Sequence, residues 1–159
     1  MDNENKHDLA VKMFSKVCRT MDAHEWTYDK YEDLLTVKSG AQGDDLPIDF
    51  RIEVDEKRRF MMLVSPLPFT TPEDRRVEMA MAVSVVNFQL ADGSFAYNIQ
   101  SGRMYFRMTC SYIDSDLGDD LFDYLLFCSV QTIDEYNEKL MMLSAGVITL
   151  EKFIELVDG

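Results

Sequence analysis

The chain has 159 residues, of which 47% are hydrophobic, 11% aromatic and 28% charged, and its formal net charge is −13. That is one domain's worth of chain with enough apolar material for a core, which excludes a disordered protein. The acidity repels phosphate backbones and anionic membrane surfaces, so nucleic-acid and membrane binding are excluded; it suits a basic or unfolded partner, unless it serves solubility alone.

Residues 1–6 are polar and acidic and are expected to form a flexible tail ahead of a single domain over 7–159; they lack the basic start and apolar run of a signal peptide. The apolar positions Leu9, Ala10, Met13, Phe14, Val17, Cys18 and Met21 recur at three and four, which predicts an amphipathic helix from His7 to His24. Trp26, Tyr28 and Tyr31 then read as a connecting segment whose aromatics cover the core's edge. Leu34 to Lys38 reads as a short strand and Ser39 to Asp45 as a loop. Ile48, Phe50, Ile52 and Val54 alternate with Asp49, Arg51, Glu53 and Asp55, which predicts a strand with one buried face. A charged turn at Asp55-Glu56-Lys57-Arg58 leads to a second strand of a hairpin, ended by Pro66 and Pro68. On that strand Met61 and Leu63 are expected on the outer face, beside the charges of its neighbour.

The next stretch organises the chain. Thr71 reads as a hydroxyl cap, Pro72 as the first helical residue and Asp74 as its capping partner. From Met79 onward the helix is apolar almost all round, through Ala80, Met81, Ala82, Val83, Val85, Val86 and Phe88. Such a helix needs cover on two sides. Its own sheet supplies one and a second copy of the chain is expected to supply the other, with Met79, Val83, Val86 and Tyr97 at the contact. Ser94 to Gln100 alternates again, Ser101-Gly102 reads as a two-residue hairpin turn, and Arg103 to Tyr112 as the last strand. After the acidic loop Asp114–Asp120 comes a long helical region, with a break possible where Thr132 and Glu135 could cap a fresh helix. Gly146 reads as its stop and Thr149 to Val157 as a final short helix.

The expected fold is therefore α+β: helix, three strands, helix, two strands, helix, with an antiparallel five-stranded sheet and the helices packed on one face.

No residue set calls for a catalyst, a metal or a cofactor. His24-Glu25-Trp26-Thr27-Tyr28 starts like a zinc-protease helix, but Tyr28 stands where a second histidine is needed. The Asp114–Asp120 loop offers oxygens, yet Gly118 and Leu125 occupy calcium-ligand positions. Gly40 and Gly43 lack the context of a phosphate loop, and no serine sits in a nucleophile elbow. Cys18, Cys110 and Cys128 are an odd set without metal spacing and read as free thiols of a reducing cytoplasm. The longest apolar run is too short to span a membrane. What remains is contact surface: Met61, Leu63, Tyr105, Arg103 and Arg107 are expected to meet a partner protein or peptide segment. Alternatively, Arg103, Arg107 and Tyr105 would line the pocket of a small-ligand protein or enzyme.

The order of elements resembles the class I type III secretion chaperones and the bacterial YbjN-like family that shares their fold. Asn87 near the end of the central helix, Gly93, Phe95, Gly102 in the hairpin, and a late helix with Asp134-Glu135-Tyr136 before Gly146 are similar to YbjN-like proteins. The likeness spans roughly residues 7–146. It implies a small, acidic, cytoplasmic bacterial homodimer whose central helix and following strand make the dimer contact, working as a non-catalytic interaction or regulatory module. A true secretion chaperone holding an extended stretch of an effector is the alternative.

Overall fold

The computed structural model describes residues 2–159; Met1 of the expected tail lies outside them. The elements are α1 (Asn3–Ala23), β1 (Tyr28–Tyr31), β2 (Thr36–Gln42), β3 (Pro47–Asp55), β4 (Phe60–Thr70), α2 (Arg76–Gln89), β5 (Ser94–Asn98), β6 (Arg103–Ser111), α3 (Asp119–Ser144) and α4 (Leu150–Asp158). The strands form one sheet in the order β1-β2-β3-β4-β6-β5, with every neighbouring pair antiparallel. The α+β class and the antiparallel pairing are as expected, but the sheet has six strands rather than five. The additional one, β1, is the segment read as a connection. It is four residues long, mostly exposed and at the sheet's edge, so it carries no alternation to read.

The period-two pattern of β3 puts Ile48, Phe50, Ile52 and Val54 into one core with the inner faces of β4 and β6. α1 and α3 lie against this face and against each other, while α2 packs on β5, α3 and α4. Several predicted boundaries move. α1 starts at Asn3, inside the expected tail. β2 continues through Ser39 to Gln42, because Gly40 pairs directly with Asp49 and its missing side chain leaves room for that residue's carboxylate. The prolines do not end β4, which stays paired with β6 as far as Thr70; they coincide with the end of its ladder with β3, whose last pair is Arg51 with Val64.

The start of α2 also differs from its signature. Residues Glu73–Arg75 form a 3₁₀ turn, and no side chain caps the helix. Thr71 instead donates its backbone N–H to the Gly102 carbonyl and accepts from Arg76, which ties the helix entry to the β5–β6 loop. That loop is four residues rather than two, and Gly102 closes it at φ +75°. α3 is continuous: the Thr132 hydroxyl donates to the Cys128 carbonyl one turn back (2.7 Å), so it caps nothing. Gly146, at φ +74°, ends the helix as expected.

Candidate functional site

α2 is apolar all round, and the fold decides which side it buries. Met79, Ala82, Val83 and Val86 are sealed inside this chain. Three of the four residues expected at a dimer contact are therefore core, a correction with a simple cause: the strongest apolar positions of the helix are the ones its own sheet and α3 claim. The side left in solvent carries Val77 (68% exposed), Met81 (54%), Ser84 and Phe88 (90%). Their spacing of four, three and four draws one line along the helix. Tyr97, the fourth expected contact, is half-buried on the inner face of β5, and its buried hydroxyl has no hydrogen-bond partner among the described residues.

α4 widens the exposed line into a groove. Thr149 caps it by accepting from the Lys152 N–H (3.1 Å), Glu78 of α2 accepts from the Leu150 N–H (3.2 Å), and Phe153 is fully buried. Leu150 and Ile154 then face Val77, Ala80, Met81 and Val85 across a shallow apolar groove of about 470 Å³. At the far end of α2 the Asn87 amide clamps β5, accepting from the Phe95 N–H (2.9 Å) and donating to the Phe95 carbonyl (3.0 Å). Gly93 turns the chain between them at φ +73°, where a side chain would run into the Phe106 ring.

The second candidate surface is the open face of the sheet. Met61 and Leu63 do not belong to it. Met61 is paired with Val54 and Leu63 with Ile52, so both point into the core and are fully buried. Every residue of β4 from Phe60 to Val64 is apolar, which removes the alternation that fixes a face, and the reading slipped by one residue. The outward residues are Phe60, Met62, Val64 and Pro66. Arg103, Tyr105 and Arg107 are exposed on β6 as expected, with the Arg107 guanidinium 5.9 Å from the Tyr105 ring. Sequence reasoning missed Lys38 and Arg51, which the register places in line with Val64 and Arg107; strand alternation alone does not say which strands become neighbours.

The remaining polar groups hold the fold. α1 and its C-terminal cap pair with the acidic segment before α3 and with that helix's first residues: Lys12 and Lys16 meet Asp116 (3.1 and 2.8 Å), Arg19 meets Asp119, and His24 meets Asp123 (2.8 Å). The Lys16 ammonium, hydrogen-bonded to Asp116, holds that carboxyl below its ordinary range. His7 bonds Glu56 (3.0 Å), which raises the imidazole's pKa. These pairs are exposed and modest in energy. A groove of about 460 Å³ beside His7, Lys30 and Glu56 has mixed charges without convergence. Arg103 and Tyr105 border another, about 570 Å³, beside Pro66–Thr70, but Arg107 does not line it. No described helix is long and apolar enough to cross a membrane.

Comparison with known proteins gives a consistent picture. The family model described as "YbjN: Putative bacterial sensory transduction regulator" matches residues 15–141. The crystal structure of YbjN from E. coli superposes with a TM-score of 0.62 at 8% identity, covering 84% of this chain and 92% of that one. A chain of the HopA1–SchA chaperone–effector complex gives 0.54 at 13% identity, covering 87% and 98%. A chain of the ExsC–ExsE complex gives 0.56 at 9%, covering 83% and 96%. At these identities the likeness is one of fold. No curated protein sequence matches the chain.

Proposed function

The chain belongs to the YbjN family, and from that premise we propose that it is a non-catalytic interaction or regulatory module, acting as a homodimer that binds another polypeptide. The observation that carries this reading is the line Val77, Met81, Ser84 and Phe88, left exposed on a helix whose other side is fully used by the core. Two copies of that line can pack as an isologous helix pair, with Ala80 and Ser84 small enough for close approach. Phe88 of each copy would enter the groove between α2 and α4 of the other.

The polypeptide partner is supported by the fold, which this chain shares with members of chaperone–effector complexes. The family match favours the YbjN branch over a true secretion chaperone. A ligand pocket or active site would need Arg103 and Arg107 to converge. They stand four residues apart on one strand, about 13 Å of rise, with only Arg103 on a groove. The three free cysteines fit a reducing cytoplasm.

Ser84 lies near the middle of the exposed line, so a two-fold contact brings its two copies together. Ser84→Cys should form a disulfide-linked pair under mild oxidation, while a cysteine at Thr109 on the open sheet face should not. A Ser84→Cys protein that oxidises no faster than the Thr109→Cys control would remove this contact.

A further inference from the structure

The open sheet face has an arrangement that the net charge of −13 does not suggest. Its middle is an apolar spine along β4, formed by Phe60, Met62, Val64 and Pro66. Cations stand on both sides, Lys38 on β2 and Arg51 on β3, the latter among the carboxylates Asp49, Glu53 and Asp55, and Arg103 and Arg107 on β6. Lys38, Arg51, Val64 and Arg107 occupy one cross-strand row. Val64 is only 4% exposed although the outward residues of β6 beside it are open to solvent. Its register partners are Arg51 and Arg107, and long cationic side chains of that kind can lay their methylenes over an apolar neighbour and keep the charge in water.

Most cations of this chain are spent on its own carboxylates; Lys38, Arg103 and Arg107 are not. Among the described residues Arg51 alone of the four has an ion pair, with Glu53 at 3.1 Å. Lys38 sits over the Tyr31 ring (5.1 Å) and Arg107 over Tyr105, contacts that leave both charges unneutralised. Asp29, Asp49, Glu53 and Asp55 share the face; Glu53 is paired with Arg51 and Asp55 with Arg58, and no carboxylate is ion-paired with Lys38, Arg103 or Arg107 among the described residues.

We propose that this face docks an extended, acidic and apolar segment of a partner protein, laid along β4. Alternate side chains of the segment would rest on Met62, Val64 and Pro66, and its carboxylates would reach Lys38 and Arg51 on one side and Arg103 and Arg107 on the other. The spine runs from Phe60 to Pro66, about 20 Å at strand rise, which suits a segment of similar length. A nucleic-acid strand is the poorer occupant. Its phosphates would meet the surrounding negative field over their whole length, whereas a short segment meets the local cations within about one Debye length, about 8 Å. The partner's chemistry thus deepens the polypeptide-binding reading and rests on it.

Three synthetic peptides of roughly twelve residues, alternating leucine with glutamate, glutamine or lysine, test this by fluorescence anisotropy. The glutamate peptide should bind about tenfold or more tighter than the glutamine one, and the lysine peptide weakest. The exposed double variant Lys38→Glu/Arg107→Glu, checked for an unchanged thermal midpoint, should abolish that preference. Equal binding of all three peptides overturns the acidic partner and leaves polypeptide binding standing. Absence of binding by all three removes both. Capture of a single-stranded oligothymidine, sensitive to the double variant while the glutamate peptide stays unbound, would also overturn the proposal.

Discussion

Phe88 and Met79 lie on one helix and make opposite predictions. Phe88 is 90% exposed in the single chain, so Phe88→Ala should leave the monomer's stability nearly unchanged. In a two-fold dimer each copy buries its own Phe88, and two rings are lost per dimer. Fully burying such a side chain is worth about 1.5–3 kcal/mol. The pair therefore contributes about 3–6 kcal/mol, or roughly two to four decades in the dissociation constant. Met79 is fully buried, and Met79→Ala should cost the fold about 2–5 kcal/mol. Sedimentation equilibrium reads the dissociation constant. Urea unfolding, run below it so that association does not add to stability, reads the fold. A Phe88→Ala dissociation constant within about threefold of the parent would refute the reasoning. So would a loss of monomer stability matching that of Met79→Ala.

Asn87→Ala removes both bonds to Phe95 and leaves a half-buried N–H and carbonyl without their partners, so urea unfolding should show a loss of about 1–3 kcal/mol. The hydrogen bond that the imidazole donates to the Glu56 carboxylate raises the His7 pKa; its stabilising effect is therefore complete below the ordinary histidine value near 6.5 and fades as pH rises through the folded value. An NMR titration should find His7 above that value, and Glu56→Gln should bring it down. Asp55 titrates low, first because it accepts the Arg58 backbone N–H (2.8 Å) and further through the Arg58 side chain. Its contribution is present above the ordinary aspartate value and disappears as pH falls through the depressed one, so the stability gap between the parent and Asp55→Asn should close in acid.

These positions also show what could be read from residues alone. β3 was legible because one face is charged and the other apolar at every step, leaving a single register that buries the right side. Three of the residues that carried the family resemblance prove to be joined, with Asn87 bonded to Phe95 across the Gly93 turn. β4 and α2 were legible as elements but not as faces. A strand apolar at five successive positions and a helix apolar all round hold no information about which side turns inward; packing against α3 decides it. For the same reason the sequence pointed to an unsatisfied surface on α2 and named the wrong residues for it. β1 escaped because four exposed edge residues need no pattern. The cationic row on the open face escaped because it exists only once β2, β3, β4 and β6 are laid side by side.

Self-association through α2 is tested most directly by the mass of the unmodified chain in solution, by sedimentation equilibrium at tens of micromolar. A dimeric module gives twice 18.4 kDa, and dilution returns it to a single chain. A mass that stays at 18.4 kDa over the whole concentration range, with Val77, Met81 and Phe88 still open to solvent, would contradict it.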